Sequence, residues 1–563
     1  MNPLASTKCA GRLLMALAAI TSILLMAACG SSSSIAPPNQ QGFNDGSVTG
    51  TYVISISGTD VNTSTNPASI VPFAIAGTIA ANGKGGITGG TVDINDPGNL
   101  GVQIGQAVVS SSSGYQVDTD GRGSGTLVVA SGATFNFDFV LTSASHGLIS
   151  RFDSFGTGSG TIDIQTPVTS LTGSYAFSLS GFDFSGGNFN PLGTVGALTL
   201  NPNSNVIVPG IEDFNDNGTS GPGYTDLTLT GQVVLAAGGT SGTAHLTTPV
   251  ANSNLASLNF DVWVIDSTHL KFIETDTADT GVLLAGDAFT QVTSIAAGQL
   301  VFVLSGIDGL GNPVAAGGYA TTDANGDLTN GFEDYNDNGT VAFSKPFFTT
   351  AAGCVAGRCQ LTLNGFTNGL ESVTGFVVYP SSGGGQALEI GGLGLLQGAS
   401  YSQSATSFTA SGGYALNLTG QNTGPGGEVD DIAQFDAGAP ATSFTGPFNM
   451  TGSLDENDLG SLLTTTSSLK GTYVPDTAPD GRGSISSNNS GTLLGGFTLQ
   501  YYVVDSSTVV FIDVDSFALD GSVAQVAVGT FQAQSTSGSG AAAQSRMAIV
   551  HPAVRAHAAL RRK

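Results

Sequence analysis

Basic residues are scarce in this chain: 15 Lys and Arg stand against 41 Asp and Glu in 563 residues, a formal net charge of −26. Nucleic acid is thereby excluded as a partner, because phosphate binding takes clustered Lys and Arg. Histidine is also rare, at five residues, and none shows metal-ligand spacing. No His-Glu-x-x-His, no phosphate-binding loop and no Gly-x-Ser-x-Gly elbow with a credible histidine partner occurs. Trp263 is the lone tryptophan; it falls in an apolar stretch that reads as core, which argues against aromatic sugar platforms. Apolar residues never recur at helical spacing for a useful length, and glycine interrupts every candidate run. These shortages point away from an enzyme and from a helical fold.

What is abundant is glycine, at 81 residues, with 40% hydrophobic residues and a mean hydropathy of +0.18. That apolar content supports a buried core rather than disorder. Four segments open alike, at Gly50-Thr-Tyr52-Val-Ile54, Gly173-Ser-Tyr175-Ala-Phe177, Gly298-Gln-Leu300-Val-Phe302 and Gly412-Gly-Tyr414-Ala-Leu416. Each alternates large apolar with mostly small or polar residues, the period-two pattern of a strand with one buried face. The ends match as well: Val262 to Asp276 aligns without a gap to Tyr501 to Asp515, each reading as a hairpin of two apolar strands, and a glutamine closes each repeat at Gln165, Gln291, Gln403 and Gln534. The expectation is an all-β chain of four tandem antiparallel β-barrel or β-sandwich repeats, at 50–165, 166–291, 292–403 and 404–534. The opening Gly-x-Tyr strand and closing apolar hairpin loosely resemble lipocalin-like and avidin-like barrels, although no lipocalin signature is present.

One motif recurs in every repeat, GxxDxNDxG, at Gly90–Gly98, Gly210–Gly218, Gly331–Gly339 and Gly452–Gly460. In the middle two repeats it becomes DxNDNG, the first half of an EF-hand loop, in which hard oxygen ligands at alternate positions wrap Ca²⁺. Calcium is accordingly the candidate cofactor, and the candidate ligands are Asp93, Asn95 and Asp96; Asp213, Asn215 and Asn217; Asp334, Asn336 and Asn338; and Asp455, Asn457 and Asp458. The match fails where the EF-hand supplies a bidentate Glu, since Tyr224 and Lys345 stand there. The competing reading is a hairpin corner, with Asp and Asn bonding local backbone and Gly taking a left-handed turn. A second recurrent turn, Asp120-Gly-Arg122-Gly and Asp480-Gly-Arg482-Gly, reads as a hairpin connection.

At the N-terminus Lys8 and Arg12 precede an apolar stretch from Leu13 to Met26, too short for a comfortable membrane span. It ends in Leu25-Met26-Ala27-Ala28-Cys29-Gly30, which resembles the lipobox of bacterial lipoproteins. That resemblance implies a cleaved signal peptide at 1–28, acylation (diacylglycerol and palmitate) at Cys29, and, with Gly30 after the cysteine, a destination at the outer membrane of the cell envelope. Residues 29–49 read as a flexible tether and residues 535–563 as a disordered basic tail. Cys354 and Cys359 are left as an even pair in an exported chain, an expected local disulfide. Two functions follow as expectations: a membrane-anchored, non-enzymatic envelope or adhesive β-repeat lipoprotein, and alternatively a lipoprotein that binds envelope glycans or a small apolar ligand inside its barrels.

Overall fold

The computed structural model describes residues 42–536, apart from 63, 66–68, 185–188, 202–206, 217–222, 277–280, 370, 410–411, 424–426, 439–446, 460, 463–466, 479, 488–495 and 517–523. The expected signal peptide, Cys29, most of the expected tether, Asn217 and the tail from 537 lie outside the described residues.

Apart from a three-residue 3-10 turn at Asp45–Ser47, the regular elements among the described residues are all strands, arranged as four successive antiparallel meanders. Residues 173–290 and 298–402 each close into an eight-stranded barrel, and 413–533 closes through pairing of its second and third strands, Glu428–Ala437 and Phe448–Asp458. Residues 49–164 form a nine-stranded sheet that is not hydrogen-bonded shut. Its fourth strand is broken into Gly101–Ala107 and Gly114–Val117, and isolated pairs at Gly86–Gly114 and Val108–Val129 span the seam. In all four bodies, called barrels 1 to 4 below, the first strand pairs with the last, at Tyr52–Ile164, Tyr175–Thr290, Leu300–Ser402 and Tyr414–Ala533.

The period-two pattern accounts for the interiors. Tyr52, Ile54 and Ile56 enter one core, Tyr175, Phe177 and Leu179 the next, then Leu300, Phe302 and Leu304, then Tyr414, Leu416 and Leu418. A buried tyrosine needs a partner for its hydroxyl. Tyr52 donates to the Ala144 carbonyl and Tyr175 to that of Ser267, in both cases the turn of the barrel's own closing hairpin.

The other face of these strands departs from the sequence expectation. A strand on the outside of an isolated barrel alternates buried and exposed, as Tyr224–Leu235 does. The opening strands and closing hairpins are instead buried on both faces; Gly413–Asn422, for example, has a single residue that is not fully buried. Neighbouring barrels cover the second face. Val53, Ala74 and Ala76 of barrel 1 pack on Trp263, Ile265 and Ile273 of barrel 2, and Ala176, Val195 and Ala197 of barrel 2 on Val377, Tyr379 and Leu388 of barrel 3. Val301, Ala399 and Tyr401 of barrel 3 pack on Tyr502, Val504 and Val510 of barrel 4. Barrel 4 then returns to barrel 1, with Ala415 and Ile432 against Val140 and Leu148. The first strands of each barrel thus sit on the closing hairpin of the following one, and the fourth seam closes a ring.

Candidate functional site: the four seams

The recurrent motif lies at these seams. Its first Asp and its Asn fall within the third strand of each barrel, Ile87–Asp96, Ile207–Asp216, Leu328–Asp337 and Phe448–Asp458, and not in a corner. The third strand can turn these residues outward because period two alternates its faces. Each Asn then donates its side-chain amide to main-chain carbonyls at the end of the next barrel's closing hairpin or at the start of its last strand. Asn95 reaches the Glu274 carbonyl at 3.0 Å and Asn215 those of Glu389 and Gly394, both at 3.0 Å. Asn336 reaches Asp513 at 3.1 Å and Gln525 at 2.8 Å, and Asn457 reaches Arg151 at 3.0 Å and Gly156 at 2.9 Å.

The first Asp makes the ionic half of the lock. Asp213 holds Arg358 of barrel 3 through two hydrogen bonds, at 2.8 and 2.7 Å, and accepts from Tyr379 Oη at 2.5 Å. Asp334 holds Arg482 of barrel 4 in the same fork, at 2.7 and 2.9 Å, and accepts from Tyr502 Oη. Asp455 meets Arg122 of barrel 1 at 3.6 Å. Asp93 has no arginine opposite and accepts from Trp263 Nε1 at 2.8 Å; burial pushes its carboxyl up to about 7. A planar guanidinium matches a carboxylate in two parallel bonds, which fixes orientation as well as distance. The same Asp side chain also accepts a local amide, from Gly105, Asp226 and Ser344 in the first three barrels. Asp226 and Ser344 carry φ of 57° and 53°, a region sparsely used by residues other than glycine; the carboxylate holds that kink in place.

The Asp-Gly-Arg turns deliver the arginines. Gly121 and Gly481 take φ of 90° and 81°, which turns the hairpin so that Arg122 and Arg482 face the preceding barrel. In barrel 3 the same duty falls to Ala356-Gly357-Arg358, at the tip of a hairpin bridged by a Cys354–Cys359 disulfide. The repeat-closing glutamines are the third part of the lock. Gln165 donates to Thr240 and Val264 of barrel 2, Gln291 to Gly357 of barrel 3, and Gln403 to Asp480 and Val503 of barrel 4. Gln534 completes the circle on Asp120 and Leu141 of barrel 1, at 2.8 and 2.9 Å.

Other titratable side chains gather at the first seam. His146 bonds Asp163 at 2.8 Å, while His269 and Lys271 share Asp287 at 2.5 and 2.7 Å. Although burial opposes its charge, Asp287 is held below the usual carboxylate range by Lys271 and His269. His146 and His269 begin the second strand of their closing hairpins. Among the described residues no hydroxyl or thiol is hydrogen-bonded to either ring.

Among the described residues no group of three or more His, Cys, Asp or Glu is arranged to hold a metal ion. The motif carboxylates are occupied by arginine, tryptophan and tyrosine. Asp96 caps the following turn through the amides of Asn99 and Leu100, Asp216 accepts from Asn252, Asp458 accepts from Asn422, and Asn338 has a φ of 48° in the turn after its strand. The residues that sequence reading did not connect to the motif are Arg122, Arg358, Arg482, Tyr379 and Tyr502. Two signals were nonetheless visible, the repeated Asp-Gly-Arg turn and the repeated closing glutamine.

The barrel interiors are packed with large side chains. In barrel 4, Phe408 meets Tyr414, Tyr473, Tyr501 and Phe531 with ring centroids 5.1 to 5.7 Å apart. Cavities of about 250 and 450 Å³ lie beside Val292, Leu300, Tyr401 and Val504 and beside Ile211, Ala352 and Arg358.

No family model and no curated protein matches the chain. Solved structures that it is similar to include a double mutant of transferrin binding protein B from Haemophilus parasuis Hp5, 11% identical over 71% of this chain and 82% of that one, with a TM-score of 0.17. Another is the isotype 1 transferrin binding protein B from serogroup B Neisseria meningitidis, 12% identical over 69% and 84%, with a TM-score of 0.18.

Proposed function

We propose that this chain is an exported, acyl-anchored, non-enzymatic lipoprotein of the cell envelope, tethered through Cys29 to the outer membrane, and that its ring of barrels is a rigid body presenting outer strands and loops as an adhesive or binding surface. The observation that carries this reading is the use of the polar residues. The recurrent Asp, Asn, Arg and Gln side chains are consumed in holding barrel to barrel, and aromatic and aliphatic side chains fill the interiors. A small apolar ligand or a glycan inside a barrel would have to displace core residues such as Phe408 or Tyr414, so the interior-binding alternative is disfavoured. Rigidity suits display, because a fixed surface loses less conformational freedom on binding a partner.

The test is labelling with radioactive palmitate in the producing bacterium, followed by membrane fractionation. The wild-type chain should take up label and sediment with outer membranes, whereas Cys29→Ser should do neither. Equal labelling of both chains, or a wild-type chain found unlabelled in the soluble fraction, would overturn the reading.

A further inference from the structure

The joint between barrels 1, 2 and 3 gathers a set of buried titratable groups that no other seam repeats. His146 of barrel 1 bonds Asp163 through Nδ1 at 2.8 Å, and Thr161 donates to the other Asp163 oxygen at 2.8 Å. His269 of barrel 2 bonds Asp287 through Nε2 at 2.5 Å, with Lys271 on the same oxygen at 2.7 Å. Asp163 lies within electrostatic reach of His269 and Lys271, and Tyr401 of barrel 3 within reach of Asp287. All of these side chains are buried. In barrels 3 and 4 the strand that His146 or His269 would begin starts with Gly384 and Thr508 instead. The same seam has no arginine facing its motif aspartate, Asp93, which is bonded by Trp263.

Each imidazole has one nitrogen left over. His146 Nε2, His269 Nδ1 and Tyr401 Oη are buried with no hydrogen-bond partner, and His269 stacks on the Phe289 ring at 4.2 Å. A neutral imidazole tolerates that position, since the bare nitrogen is only an unused acceptor. A protonated imidazole would bury an N–H with nothing to accept it and would stand as a second cation beside Lys271. Burial accordingly pushes His269 below the ordinary histidine value, against the pull of Asp287. Although burial opposes its charge, Asp163 is held below the usual carboxylate range by His146. Elsewhere in the seam burial raises Asp93, Asp261 and Glu274, whose contributions are kept in acid.

We propose that this cluster is an acid-sensitive joint, which holds barrels 1 and 2 together near neutrality and lets them part along their seam in mild acid while each barrel stays folded. The sign follows from His269. Its contribution is complete above the unfolded value of about 6.5 and is lost as pH falls through the lower folded value. The inference goes beyond the anchored reading and needs no acyl chain.

Trp263, the lone tryptophan, reports on this seam directly. It is 7% exposed, packs on Val53, Ala74 and Ala76 of barrel 1 and pairs across its hairpin with Lys271. The test is acrylamide quenching of its fluorescence in the full chain, titrated from about pH 7.5 to about pH 4.5, with far-UV circular dichroism recorded alongside. Quenching should rise several-fold through the acid range while the dichroism stays constant. In His269→Gln, which keeps a donor toward Asp287 and cannot gain a proton, quenching should stay at its neutral value; His269→Asn serves as the second variant if Gln does not fold. Wild-type quenching that is flat with pH would overturn the proposal without any variant. So would a rise that persists undiminished in the folded variant, or one that coincides with loss of the β-sheet signal.

Discussion

A buried asparagine that donates to carbonyls of a neighbouring barrel is hard to replace, because those carbonyls have lost water and gain no other partner. The same holds more strongly for the aspartates. Asp334 is 2% exposed and lies between Arg482 and Tyr502; removing it leaves a partly buried guanidinium without its forked partner. Asp334→Ala should cost about 3 kcal/mol in denaturant unfolding, and adding Arg482→Met should recover part of that loss. A cost below about 0.5 kcal/mol would mean that the pair adds nothing measurable. Because an arginine faces Asp213, Asp334 and Asp455 and Trp263 bonds Asp93, the melting temperature should be the same in excess calcium and in chelator. A rise in calcium that disappears in Asp213→Ala would instead show that the metal displaces Arg358. The motif itself was legible in the sequence, but its role was not. The partner of Asn95 is 179 residues away and that of Asn215 is 174 away, a separation longer than the repeat, so similarity between repeats gives no sign of it.

At the scale of strands, the opening segments were readable as strands and their large apolar residues as core. Their small residues were misleading. Ala176, Ser178 and Ala415 stand where a solvent face is expected, yet each meets another barrel, and period-two analysis does not separate those two uses of a small side chain. The choice between barrel and sandwich is open in the sequence, since the first-to-last pairing that decides it joins residues about 90 to 120 apart in the chain. The glutamine latches give a graded prediction. Gln534→Ala removes both hydrogen bonds to barrel 1, and one accepted from Gln434 within barrel 4, and should cost about 1–2 kcal/mol, with faster amide exchange at Leu141 and Thr142. Gln291→Ala removes one bond, at 3.2 Å, and should cost less. An exchange pattern unchanged in Gln534→Ala would show that the fourth seam is held without it.

Over the whole molecule the buried carboxyls set an uncommon response to pH. Burial pushes Glu212, Glu389 and Glu428 up to about 8, Glu274 to about 9, and Asp96 and Asp138 to about 7. Each of these groups binds its proton more tightly folded than unfolded, so its contribution is complete below the unfolded value near 4 and is lost as pH rises through the folded value. Asp287, held low by Lys271 and His269, acts in the opposite sense and loses its contribution only in acid. The melting temperature should therefore peak near about pH 5 and fall steadily toward about pH 9. A melting temperature that climbs from mild acid to neutrality would show these carboxyls to be ionised in the fold.

Closure of the ring rests on the fourth seam, where Asn457, Asp430 and Gln534 meet barrel 1. Small-angle X-ray scattering of residues 42–536 reads that closure directly. A closed ring should give a radius of gyration of about 23 Å, the value for one compact chain of this length, against roughly 33 Å for four barrels in a row. A value near the smaller figure, rising in a chain carrying both Asn457→Ala and Gln534→Ala, is the expected result. A wild-type value near the larger figure would mean that barrels 4 and 1 do not meet.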